Sequence, residues 1–196
     1  MYRNLFSVGL SFLAFFFLSL LTQSCESTSG QNKMTVDEQI QRGKFLMTVG
    51  DCNVCHTPKL MTEKGPVPDM TRLLSGHPAN SMLPELTSDQ LGPGKWFLYN
   101  DNLTAWVGPW GISFAANLTP DKQTGLGMWT EDMFIKAFRT GKHMGDGRPI
   151  LPPMPWENMA LLEDQDLKAI FAYLQSIKPV SNLVPGPVPP NEIAAR

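Results

Sequence analysis

The sequence predicts an all-α domain, on three observations. Three segments place apolar residues at helical spacing behind capping signals, and no segment alternates clearly as a strand. The 16 Gly and 17 Pro gather in the middle and at the end, which makes those stretches irregular. At 196 residues the chain holds one domain of ordinary size and a leader. With 16 Lys and Arg against 18 Asp and Glu, it has no broad basic surface, and nucleic acid is excluded as a partner.

Residues 1–24 read as an export signal, because Arg3 precedes an uncharged, mostly apolar run over 5–21 that is short for a membrane span. Cys25 follows at once and opens a polar spacer, 25–34. A cysteine in that place reads as the lipidated first residue of a bacterial lipoprotein, although Thr22 stands where an aliphatic residue is usual. A signal anchor and plain secretion are the alternatives.

The domain proper is expected over 35–183. Thr35 and Glu38 form a capping box, and Val36, Ile40, Gly43 and Met47 then share one face of a first helix, with Gly43 leaving room for a second helix to cross. From about 57 to 116 runs a long insertion punctuated by Pro58, Pro66, Pro68, Pro78, Pro84, Pro93 and Pro109. Its aromatics, Trp96, Phe97, Trp106, Trp110 and Phe114, are too many for a floppy linker and should cover something apolar. Thr130 caps a second helix, with Glu131 and Asp132 in its first turn, Phe134, Ala137 and Phe138 on one face, and Gly141 as its stop. The last helix begins near Asp164, carries Leu167, Ile170, Phe171, Leu174 and Ile177, and ends before Pro179. In the tail, 184–196, Pro185, Pro187, Pro189 and Pro190 forbid further helix and imply an extended or disordered end.

The chemistry lies in Cys52-Asn53-Val54-Cys55-His56, at the exit of the first helix. Two thiols separated by two residues on a turn can each reach one vinyl group of a haem, and the adjacent histidine meets the iron from the same side. A redox disulfide or half a zinc site has the same spacing. Zinc would need further ligands from His77 and His143, and a thioredoxin-like motif needs a βαβ pattern that the sequence lacks. One covalent haem c is therefore the cofactor expected. For the opposite axial position, Pro152-Pro153-Met154-Pro155 is built to hold Met154 rigidly, with a neutral, soft thioether that raises the potential. Met144 and Met159 are its rivals, and His77 or His143 would instead give bis-histidine iron of lower potential. Arg148 and Trp129 are candidates to meet haem propionates, or else are a surface arginine and a core tryptophan.

These residues resemble a class I cytochrome c domain of the kind found in the cytochrome subunits of membrane-bound alcohol and sugar dehydrogenases. The resemblance rests on Gly50-Asp51-Cys52 through His56-Thr57-Pro58, then Asn117-Leu118-Thr119-Pro120-Asp121 with Thr124-Gly125-Leu126-Gly127 and Trp129-Thr130, then Met154-Pro155 and the final helix. It implies an all-α, class I cytochrome c-like fold with a lengthened loop after the attachment motif, and Met154 as the distal ligand. Those subunits usually carry several haems; one CxxCH here implies a single module. At the start of the last helix Glu163 replaces the usual Thr or Ser cap, and Asp164 should share the task.

The function expected is single-electron transfer, not catalysis, on the periplasmic side of a bacterial membrane. Partners would be a dehydrogenase, a quinol-oxidising complex or a terminal oxidase, with the membrane met through a lipid anchor. The rival is a haem sensor or small catalytic haem protein with an open iron, suggested by the aromatic insertion.

Overall fold

The structure, a computed structural model, describes residues 34–87, 90 and 92–193. The expected export signal and Cys25 lie outside the described residues. Within them the helices are α1 (Val36–Val49), α2 (Cys52–His56), α3 (Glu131–Thr140), α4 (Trp156–Met159), α5 (Asp164–Ser176) and α6 (Pro190–Ile193). No described helix is long and apolar enough to cross a membrane.

The α1 capping box forms as its sequence requires: the Glu38 amide donates to the Thr35 hydroxyl oxygen, and the Thr35 amide donates to the Glu38 carboxylate at 2.8 Å. Gly43 and Met47 face inward, whereas Val36, in the first turn, is exposed. At Gly43 the backbones of α1 and α5 meet so closely that a Cβ would lie 1.9 Å from the Ala169 carbonyl oxygen. Arg42 holds Asp166 of α5 through two hydrogen bonds across the same crossing. Onto this pair α3 lays Phe134 and Phe138, and the core closes with Leu74, Leu126, Leu167, Ile170, Phe171 and Leu174. Phe134 meets Phe138 edge to face and tilts against Phe171, with centroids 5.1 and 5.3 Å apart.

The expected cap sharing at α5 does not occur. Glu163 makes no side-chain cap bond, and the Asp164 carboxylate accepts instead from Arg139 of α3 at 2.6 Å. Arg139 also donates to the carbonyls of Ala160 and Leu162, so one guanidinium ties α3 to the turn before α5.

The all-α expectation is overturned by the insertion, which makes the domain mixed α and β. Strands β1 (Lys59–Thr62) and β2 (Gly65–Pro68) form an antiparallel hairpin; β3 (Leu98–Tyr99), β4 (Ala105–Gly108) and β5 (Gly111–Phe114) form a three-stranded antiparallel sheet. These strands are two to four residues long, too short for an alternating pattern to register. Two of the prolines that discouraged a strand reading, Pro66 and Pro68, sit in β2 of a two-stranded hairpin, an edge position where a missing amide hydrogen is tolerated.

The sheet has its own small core of Val107, Ile112, Val188 and Ile193, to which the tail contributes the last two. Ile112 and Val188 exchange both backbone hydrogen bonds, at 2.8 and 3.0 Å. The tail is thus neither free nor wholly extended: Pro190 begins the short α6, where its missing donor would be unsatisfied in any case. The aromatics divide. Phe114 packs on His77, and Phe97, though 64% exposed, meets Trp110 edge to face, whereas Trp96 is 87% exposed and stands largely in solvent.

Asn117 ties the segment after β5 to the chain beyond α5. Its Nδ2 donates to the Val180 carbonyl at 2.8 Å and to Thr124, while its Oδ1 accepts from the amide and hydroxyl of Thr119. It is buried, so Asn117→Ala leaves several buried partners unpaired and should cost about 2 kcal/mol in urea unfolding.

Candidate haem-attachment site

α1 ends at Gly50, and Asp51 turns the chain with a left-handed φ of 50°. That turn starts α2, whose five residues are the whole motif Cys52-Asn53-Val54-Cys55-His56. One turn of helix therefore carries both thiols, which are free, and delivers His56 inward at its C-terminal end. The Lys59 ammonium folds back to donate to the Val54 carbonyl at 2.8 Å and to the Thr57 carbonyl, closing the open end of this turn. The Thr57 hydroxyl oxygen accepts from the Leu74 amide at 2.9 Å and anchors the turn to the core.

His56 is buried, and its Nδ1 lies 2.8 Å from the Ala116 carbonyl oxygen. A carbonyl only accepts, so Nδ1 carries the hydrogen and Nε2 keeps its lone pair for a metal. Burial lowers the pKa of His56, outweighing the Ala116 hydrogen bond that raises it, and the Lys59 charge lowers it further, which favours the neutral imidazole. Burial pushes the Cys52 thiol up to about 11, and it raises Cys55 as well. A thiol–disulfide catalyst needs a thiolate of depressed pKa; these thiols are the opposite. Among the described residues no three His, Cys, Asp or Glu side chains converge as a metal-ligand set, so a zinc centre has no further ligands there. The residues fit haem c: two neutral thiols on one turn, and an oriented imidazole with a free Nε2.

Cys52, Trp129, Met154 and Met159 all border the main core beside Leu118 and Leu126. Met154 is half-buried; Met144 is 38% exposed, in a single 3-10 turn (His143–Gly145) outside that core. The Met154 loop is held at its base: the Ile150 amide donates to the Gly141 carbonyl at 2.8 Å, and Gly141 leaves room for the Trp156 ring, which a Cβ would approach to 2.6 Å. His77 is buried far along the insertion, with Nδ1 2.9 Å from the Thr104 hydroxyl oxygen and its ring on Phe114. His143 sets its ring edge to face with Trp129, centroids 4.9 Å apart, and its pKa is lowered by burial and then by the Arg148 charge. Trp129, His143 and Arg148 thus form one cluster; Arg148 is exposed and donates to the Pro149 carbonyl beside it.

Sequence reasoning missed Ala116, Lys59 and Ser113. Ala116 acts through its carbonyl, which no side-chain signal marks. Lys59 stands three residues beyond the motif, and a lysine that caps a short helix was the available signal. The Ser113 hydroxyl donates to the Pro152 carbonyl at 2.5 Å across 39 residues of sequence, a contact only the fold creates.

No family model matches the chain. It is 30% identical over 146 residues to the gluconate 2-dehydrogenase cytochrome c subunit of Pantoea cypripedii. It is also 29% identical over 143 residues to the cytochrome c subunit of the quinone-dependent alcohol dehydrogenase of Gluconobacter oxydans, and 29% identical over 142 residues to the fructose dehydrogenase cytochrome subunit of Gluconobacter japonicus. These matches take in 72 to 74% of this chain but only 25%, 22% and 22% of the respective relatives. The chain thus spans about a quarter of the length of the gluconate dehydrogenase subunit it matches. Its homologues are cytochrome c subunits of dehydrogenases, which implies haem c. It matches the cytochrome c module of such complexes, as its motifs led one to expect.

Proposed function

We propose that this chain is a mono-haem electron carrier, with one haem c bound through Cys52 and Cys55 and its iron ligated by His56 and Met154. The observation that carries this reading is the α2 turn: two free, neutral thiols, followed by a buried imidazole whose Nδ1 is committed to Ala116. The haem iron supplies a reversible one-electron couple. The protein residues do the rest. Cys52 and Cys55 tether, Ala116 fixes the His56 ring and strengthens it as a donor, and the thioether of Met154 favours the reduced state. The domain of 35–183 is the electron-carrying unit, with 57–116 as its insertion and the tail, as far as its described residues 184–193 go, docked on the sheet.

The apolar run over 5–21 and the cysteine at 25 support export and a lipid anchor at Cys25, on the periplasmic side of a bacterial membrane. The names of the relatives support a dehydrogenase as electron donor; a quinol-oxidising complex or terminal oxidase would complete the chain of transfer as further partners. Such partners meet through small, transient interfaces. The test is stopped-flow mixing of the oxidised protein with a reduced sugar or alcohol dehydrogenase, which should reduce it within the turnover time of that enzyme. Reduction by no such partner, together with rapid carbon monoxide binding at neutral pH, would overturn the reading in favour of an open-iron sensor.

A further inference from the structure

The insertion reaches the methionine loop through one relay. The Trp110 Nε1–H donates to the Ser113 hydroxyl oxygen at 3.1 Å, and that hydroxyl donates in turn to the carbonyl of Pro152, two residues before Met154. Ser113 is buried, at 6% exposure, on β5. Its partner is set by the hairpin: β4 and β5 turn through Pro109 and Trp110 between Gly108 and Gly111, which pair with each other. Gly108 is the seat of the indole, since a Cβ there would lie 2.4 Å from the ring. Phe97 closes the ring's other contact, edge to face at 5.2 Å. Behind the sheet, Val188 of the tail grips Ile112, the neighbour of Ser113. The sheet is therefore a braced support, and its one side-chain hydrogen bond to the methionine loop, among the described residues, is that of Ser113.

We propose that Ser113, oriented by Trp110, is a positioning residue that holds the Met154 loop closed, and that bracing this loop is what the sheet of the insertion does. The inference rests on Met154 as distal ligand. A ligand that competes for the iron must lift Met154 away, and lifting the loop breaks a partly buried hydrogen bond. Removing that bond lowers the cost of opening and raises the open fraction in proportion.

Imidazole is the probe, titrated into the oxidised, haem-loaded protein. Ser113→Ala should bind imidazole about tenfold more tightly than the unaltered protein, the loss of one partly buried hydrogen bond. Ser113→Thr, which keeps the hydroxyl, should stay near the unaltered affinity. Trp110→Phe, which keeps a ring but loses the N–H, should shift in the same direction as Ser113→Ala by less. If Ser113→Ala fails to fold, Trp110→Phe carries the test alone. Imidazole affinity unchanged in both variants, with the sulfur-to-iron band of the unaltered protein present, overturns the brace and leaves the ligation standing. Absence of that band in the unaltered protein overturns the ligation itself, and the brace with it.

Discussion

Replacing Cys52 and Cys55 together by alanine should abolish covalent haem entirely, so that haem staining on a denaturing gel falls to background. Each thiol can form one thioether, and no other described cysteine exists to substitute. The single variants should each keep one thioether, with a haem band shifted in its reduced spectrum because one vinyl group remains unsaturated. Haem retained by the double variant through denaturation would mean that attachment is not at α2. A disulfide reading predicts something different again: an intact mass lower by two hydrogens and restored by reductant. The raised pKa of both thiols speaks against that reading, because burial disfavours the attacking thiolate by more than the Lys59 charge beside Cys55 and the backbone amide at Cys52 favour it.

The second large effect belongs to the fold. Gly43→Val should destabilise the domain by about 3 kcal/mol, since a Cβ at that place meets backbone and not a movable side-chain end. Besides the Ala169 carbonyl at 1.9 Å, it would meet the Tyr173 Cβ at 2.9 Å. For a domain of this size the melting temperature should fall by roughly 10 °C. Gly186→Ala is the control: a Cβ there would have nothing within 4 Å, and its melting temperature should hardly change. An unchanged melting temperature in Gly43→Val would mean that α1 and α5 can separate without cost. Because α1 hands the chain directly to α2, that crossing also sets where the thiols stand.

The helices and the α2 turn were legible because their signals are local. The capping box at Thr35, the Thr130 cap with the Gly141 stop, and the CxxCH spacing each act within a few residues, and the glycine on the buried face of α1 foretold the crossing at Ala169. The sheet was not legible. Its strands are short, and its stability comes from non-local partners: Val188 from the far end of the chain on Ile112, and Asn182 from beyond α5 bridging the Ser75 and His77 carbonyls. The tail misled for the same reason, since four prolines argue against helix only until one of them is the first residue of it. At the candidate site, the spacing alone marks Cys52, Cys55 and His56 as candidates, whereas Ala116 and Ser113 reach it through contacts that skip 60 and 39 residues.

The most direct test of the account is the near-infrared spectrum of the oxidised, haem-loaded protein beside that of Met154→Ala. A weak sulfur-to-iron band in the unaltered protein, lost in Met154→Ala while the haem stays covalently bound, is the result expected of a His56 and Met154 electron carrier. A covalent haem without that band, or a band that survives in Met154→Ala, would contradict it.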